Sequence, residues 1–260
     1  MKLNQLIQVI EGFCPNSLAE EWDNCGFQLR CENQEISRVM VSLEITESII
    51  NEAIENDVDL IITHHPMIFG GINSVDNNTV IGKYILRLAE ADISVYSCHT
   101  SFDKMDGGNN DYLGDVFQLR DVKAFDNGNV FCRKGETPFE VTFAEFIHKA
   151  AEFLEIEEKY FRIVGDLTST VETVGWCTGA GSEFIQEAKD EGCDFYITGD
   201  VKYHEAQLAK EMGMSILDVG HYGSEKIFTE NMAAILREKI LSEEKSVEII
   251  ESKIDINPFI

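Results

Sequence analysis

One apolar run occurs twice along this chain and narrows the folds open to it. Val58-Asp59-Leu60-Ile61-Ile62-Thr63 reads as a buried strand, and Cys193-Asp194-Phe195-Tyr196-Ile197-Thr198 matches it position by position, with Asp and Thr identical. The surroundings repeat as well. In the first half, a strand at 38–43 leads to a helix that Thr46 can cap, with Ile49, Ile50, Ala53 and Ile54 on its inner face. A helix at 79–91 and a strand at 93–98 follow the repeated run. In the second half, a strand at 171–178 and a tight Gly179-Ala180-Gly181 turn lead to a helix capped by Ser182 and stopped by Gly192. A short helix at 205–212 and a strand at 215–219 complete that half.

Strand–helix–strand order implies right-handed crossovers and two pseudo-equivalent α/β lobes with mostly parallel mixed sheets. The first lobe is placed at residues 1–120 and the second at 121–260. Within the second, 130–133 reads as a strand and 143–154 as a helix. The tail from Met232 reads as an amphipathic helix followed by a strand at 246–250.

Composition excludes several function classes. No run approaches the roughly 18 apolar residues of a spanning helix, and the N-terminal stretch reads as an amphipathic helix, not a signal peptide. With 21 basic against 47 acidic residues, the net charge is −26. Such a surface repels phosphate backbones, so neither nucleic acid nor membrane is an expected partner. A small phosphorylated substrate stays open, because bound cations invert the local field. Seven cysteines without a CxxC pair point to reduced thiols in the cytoplasm.

Five of the six histidines follow strand ends: His64, His65, His99, His204 and His221. That is where open α/β sheets place their sites. His148, in mid-helix, needs only a surface or packing role. On a regular strand, His64 and His65 would face opposite ways. At a strand end held extended by Pro66 they can serve two neighbouring ions. His99 with Asp103, and His221 with Glu225, share one His-x-x-x-acid spacing at equivalent places in the repeat. Imidazole plus carboxylate suits zinc, iron or manganese better than magnesium or calcium. The plainer alternative has each histidine capping a helix or bonding a backbone group. Trp22-Asp23-Asn24-Cys25-Gly26 and Gly107-Gly108-Asn109-Asn110-Asp111 read as turns. The Gly179-Ala180-Gly181-Ser182 turn lacks the lysine of a phosphate loop. No Gly-x-Ser-x-Gly elbow supports a nucleophilic serine.

The motifs WDNCG at 22–26, THHP at 63–66, HTSFD at 99–103, CTGAG at 177–181, TGDVKYHEAQ at 198–207 and DVGHYGSE at 218–225 span nearly the whole chain. With them the chain resembles the GTP cyclohydrolase I type 2 family, also called the Ngg-interacting-factor-three-like family, in its short form. The resemblance implies two α/β lobes, a dinuclear metal site in the crevice between them, and a ring-shaped homohexamer. It implies His64, His65, Asp103, His221 and Glu225 as ligands to two divalent ions, with Glu225 bridging. His99 and His204 are implied as nearby groups or proton carriers. Ser101-Phe102 replaces the commoner Asn-Leu, and Glu44 stands where aspartate is frequent; neither change removes a ligand. The expected function is metal-dependent hydrolysis of a nucleotide or related small molecule. The rivals are a non-catalytic metal-binding scaffold or chaperone, and a phosphodiesterase or phosphatase.

Overall fold

The computed structural model describes residues 1–33, 35–242 and 246–259. The chain forms two compact units, Met1–Met105 with Phe228–Ile260, and Asp106–Ile227. It therefore divides at 105 and again at 227, not once at 121. The reason is the tail, whose helix and strand pack on the first unit.

In the first unit, α1 (Leu3–Phe13), β1 (Gly26–Leu29), β2 (Arg38–Ser42), α2 (Glu47–Glu55), β3 (Leu60–Thr63), α3 (Val80–Glu90), β4 (Ser94–Ser97) and α4 (Thr100–Lys104) come in that order. The second unit contributes α5 (Asn109–Val116), β5 (Arg120–Ala124), β6 (Arg133–Thr142), α6 (Phe143–Leu154), β7 (Arg162–Val164), β8 (Thr170–Trp176), α7 (Ile185–Asp190), β9 (Phe195–Thr198), α8 (Tyr203–Glu211), β10 (Ser215–Asp218) and α9 (His221–Glu225). The chain then returns to the first unit with α10 (Phe228–Ser242) and β11 (Glu248–Glu251).

The first sheet has the order β1-β4-β3-β2-β11. Its neighbours are parallel except β1 against β4. One face buries Met40, Ile49, Ile61 and Val95, and Ile250, Ile254 and Ile256 of the tail pack against the same cluster. Thr46 caps α2 by accepting from the Ile49 amide at 3.3 Å, as its position in sequence indicates.

The second sheet, β5-β6-β8-β9-β10-β7, is less parallel than the repeat implies. Only β8–β9 and β9–β10 run parallel; β5–β6, β6–β8 and β10–β7 are antiparallel. The stretch read as a strand at 130–133 is instead the approach to β6, which starts at Arg133. β6 was hidden because Gly135 and Pro138 interrupt it. The ladder with β8 shifts register between Glu136 and Val141, the bulge at which a strand tolerates proline. Its short link to β5 permits only antiparallel pairing.

Ser182 is not a helix cap. It opens a single 3-10 turn that precedes α7, with no side-chain bond to the helix. By contrast α6 carries a full capping box. The Thr142 hydroxyl accepts from the Glu145 amide at 3.2 Å, and Glu145 Oε2 accepts from the Thr142 amide at 2.8 Å. Thr142→Ala is expected to cost about 1 kcal/mol, read as a lower urea midpoint with an unchanged slope.

The two identical residues of the repeat do matching work in each unit. Asp59 accepts from the Ser37 and Arg38 amides at 2.7 and 2.9 Å, and Asp194 from the Glu172 and Thr173 amides at 2.8 Å each. Each aspartate thus ties down the neighbouring parallel strand just before their shared ladder begins. Thr63 Oγ1 donates to the His65 carbonyl at 2.9 Å, and Thr198 Oγ1 to the Gly179 carbonyl at 3.2 Å. Thr63 thereby holds the loop leaving its own strand, and Thr198 the loop leaving the neighbouring β8. Among the described residues no helix is long and apolar enough to cross a membrane.

Candidate metal centre

In the first unit, three imidazoles gather where β3 and β4 end. The amides of His64 and His65 both donate to the Leu43 carbonyl, at 3.1 and 2.9 Å, so the backbone of this pair is fixed. His64 is fully buried and its Nδ1 donates to the Cys98 carbonyl at 2.9 Å. His99 Nδ1 lies 3.0 Å from Asp23 Oδ1, and His65 Nδ1 lies 3.5 Å from Glu44 Oε2. The rings of His64 and His99 are 5.1 Å apart, and one ligand nitrogen from each of His64, His65 and His99 lies within 4.8 Å of the others. Asp103, nearly buried on α4, brings Oδ1 to 3.5 Å from His64 Nε2.

Asp23 braces this cluster. Besides His99, it accepts from the Thr100 amide at 3.1 Å, from the Thr100 hydroxyl at 2.5 Å and from Cys25 Sγ at 3.1 Å. Burial pushes the Asp23 carboxyl up, but its bonds to His99 and Thr100 outweigh this and hold it well below the usual carboxylate range. An ionised, braced carboxylate behind an imidazole fixes both its tautomer and its orientation.

In the second unit, His221 opens α9 and Glu225 follows one turn later, with Nε2 and Oε2 2.9 Å apart. His221 Nδ1 lies 2.9 Å from Asp200 Oδ2. Glu225 is buried, and backbone crowds it closely. Gly179 has φ +66°, and a Cβ there would stand 2.2 Å from Glu225 Oε1. A Cβ on Gly199 would stand 2.5 Å from the His221 amide nitrogen. The CTGAG segment is therefore more than a tight turn: only glycine lets its backbone approach the carboxylate this closely.

The donor set fits a divalent transition metal. In His64 and His99 an oxygen that can only accept faces Nδ1 within hydrogen-bond distance, so the ring proton sits on Nδ1 and Nε2 carries the lone pair a metal needs, while His221 stands between Asp200 at Nδ1 and Glu225 at Nε2. His64, His65, His99 and Asp103 are brought together in the first unit, and His221 and Glu225 in the second. His99, expected as a nearby group or proton carrier, sits within the imidazole cluster itself. His204 differs. It is exposed on α8, its ring stands 5.4 Å from that of Tyr203, and no described hydrogen bond or ion pair joins it to His221 or Glu225. Sequence reasoning missed Asp23 and Asp200 as the bracing carboxylates. The only signal for them was position, since each lies in a loop beside a strand end.

Comparison with known proteins places these residues in a lineage. A "GTP cyclohydrolase 1 type 2 homolog" of Clostridium perfringens is 34% identical over 264 residues, covering 100% of this chain and 99% of that protein. A protein of the same name from Streptococcus pneumoniae is 33% identical, again over 100% of this chain and 99% of the relative. The solved Bacillus cereus protein related to NIF3 superposes with a TM-score of 0.94 at 23% identity, covering 100% and 99% of the two chains, and so shares the fold. The family model described as Duf34/NIF3 (NGG1p interacting factor 3) matches residues 1–258, and the chain belongs to that family.

Proposed function

We propose that this chain is a metal-dependent hydrolase acting on a nucleotide or a related phosphorylated, ring-bearing small molecule. In this reading His64, His65 and Asp103, together with His221 and Glu225, would hold two divalent ions, zinc or iron in preference to manganese. The observation that carries it is the convergence of one nitrogen each from His64, His65 and His99 to within 4.8 Å of one another, with Asp103 Oδ1 3.5 Å from His64 Nε2. The names of the relatives, GTP cyclohydrolase 1 type 2 homologs, support a nucleotide as substrate class. We also propose a cytoplasmic homohexamer, on the family resemblance and the seven reduced thiols.

Divalent ions at this site would supply a water acidic enough to attack near neutral pH and would neutralise charge on the substrate. The chain's own contributions are distinct. Asp23 holds the His99 proton at Nδ1, and Asp200 orients His221, whose Nε2 faces Glu225. His204, exposed to solvent, is the proposed proton carrier to and from bulk water.

Elemental analysis of the purified protein tests the reading, followed by assays with GTP and a phosphodiester. About two transition-metal ions per chain are expected, with markedly fewer in His64→Ala and Glu225→Ala. Asp23→Asn and Asp200→Asn should keep the fold and weaken metal affinity by roughly 10- to 100-fold. Turnover of GTP with a change in purine absorbance, lost in His204→Ala at unchanged metal content, supports a cyclohydrolase. Phosphate release without that change assigns a phosphatase. Metal without any turnover assigns a scaffold.

A further inference from the structure

Two large aromatic side chains stand open to solvent beside the imidazole cluster. Trp22 is 62% exposed and Phe69 is 64% exposed. Both rings nonetheless hold defined positions. Their centroids are 6.0 Å apart at 63°, and each meets His99 edge to face, at 6.2 Å and 76° for Trp22 and at 6.5 Å and 81° for Phe69. His99 is thus the meeting point of an aromatic corner and the imidazoles of His64 and His65, whose rings lie 5.1 and 5.6 Å from it.

The loops carrying the two rings are tied together by polar bonds. Asn24 Nδ2 donates to the Ile68 carbonyl at 2.7 Å, and the Ile68 amide donates to Gln28 Oε1 at 3.0 Å. Gln28 is buried, and its Nε2 donates back to the Asn24 carbonyl at 2.5 Å. Burying these rings against each other or in the core would be the ordinary outcome for side chains of this size. Here the loops are stiffened so that the rings stay apart from the core and keep their faces open.

We infer that Trp22 and Phe69 form the recognition corner for a planar nitrogen heteroaromatic ring, which stacks on an open aromatic face with its ring nitrogens turned toward His99. This deepens the hydrolase reading, on which it rests for the identity of the neighbouring site. The chemistry favours a ring over a phosphate, because the described contacts of Trp22 and Phe69 are ring to ring, with each other and with the His99 imidazole. It also favours a small ring over a protein partner. Trp22 and Phe69 both point their contacts at His99, whereas the other exposed apolar side chains nearby in sequence, Ile72, Val75 and Val80, have no ring to offer. Stacking is sequence-tolerant chemistry that needs only a π-face on the ligand. The corner therefore accepts a nucleoside without its phosphate.

Equilibrium dialysis and tryptophan fluorescence on the full chain test this, with guanosine and ribose 5-phosphate as probes. Guanosine should quench the emission of Trp22 saturably, and ribose 5-phosphate should not; the other tryptophan, Trp176, is buried. Trp22→Ala and Phe69→Ala should each weaken guanosine binding on the order of 5- to 150-fold, with unchanged metal content. Trp22→Phe and Phe69→Tyr should restore most of it. Absence of guanosine binding, equal binding of the two probes, or unchanged affinity in Trp22→Ala would overturn the inference. So would a change of assembly mass in Trp22→Ala by light scattering, which would assign the rings to a subunit contact. Guanosine binding that needs Trp22 in a protein lacking metal would keep the corner and remove the hydrolase. Metal with no ring binding would do the reverse.

Discussion

Gly179→Ala is expected to lower stability by roughly 3 kcal/mol and to break the contact between His221 and Glu225. Two separable costs add up to that figure. An alanine at φ +66° sits in the left-handed region, which costs about 1–2 kcal/mol. Its Cβ would also lie 2.2 Å from Glu225 Oε1, and a buried carboxylate can yield only by leaving its position. Gly128 separates the two. It has φ +88°, but nothing lies within 4 Å of its added Cβ, so Gly128→Ala should cost only the conformational share. Urea denaturation of both variants measures the difference. Equal losses in the two would sink the claim that Gly179 exists to admit the carboxylate. Metal affinity, if the hydrolase reading holds, should fall in Gly179→Ala and stay constant in Gly128→Ala.

Trp176→Ala is expected to cost about 3–5 kcal/mol, enough to leave the second unit marginal. Trp176 is fully buried at the end of β8, and its Nε1 donates to the Asn110 carbonyl at 2.7 Å. Its six-membered ring lies so close to Gly114 on α5 that a Cβ there would stand 2.9 Å from Cζ2. Truncation removes this packing and also the donor to a buried carbonyl. The damage should spread toward Glu225, because Asn110 Oδ1 accepts from the Thr178 amide at 2.9 Å, and Thr178 precedes Gly179. Trp176→Phe keeps most of the volume and loses the donor, so a smaller loss of about 1–2 kcal/mol is expected. A loss below about 1 kcal/mol for the alanine variant would show that the core around α5 closes over the gap.

Much of this was readable before any coordinates, and the parts that were not share a physical cause. The repeat at 58–63 and 193–198 gave strands, helices and their order, because buried parallel strands are continuous apolar runs. The helix at 143–154 emerged with the bounds expected, since Thr142 and Glu145 mark its start. β6 escaped because it is a long antiparallel strand whose Gly135 and Pro138 look like punctuation. The bracing of His99 by Asp23, and of His221 by Asp200, was illegible because those residues meet across separations of 76 and 21 positions, which no local pattern reports. The lobe boundary was misplaced for a similar reason. Nothing in the residues of α10 and β11 says which sheet they will join.

That last feature sets the order in which the chain can become native. The second unit is continuous in sequence, so all its partners exist once residue 227 has been made. The first unit must wait. β2 has β3 on one side, but its other edge stays unpaired until β11 arrives, more than two hundred positions later in the chain. During synthesis, the later-made segment thus completes its core before the earlier-made one, and an open, apolar strand edge persists throughout that interval. Such an edge is a template for pairing with other chains. The exposure lies in the half that is made first and finished last.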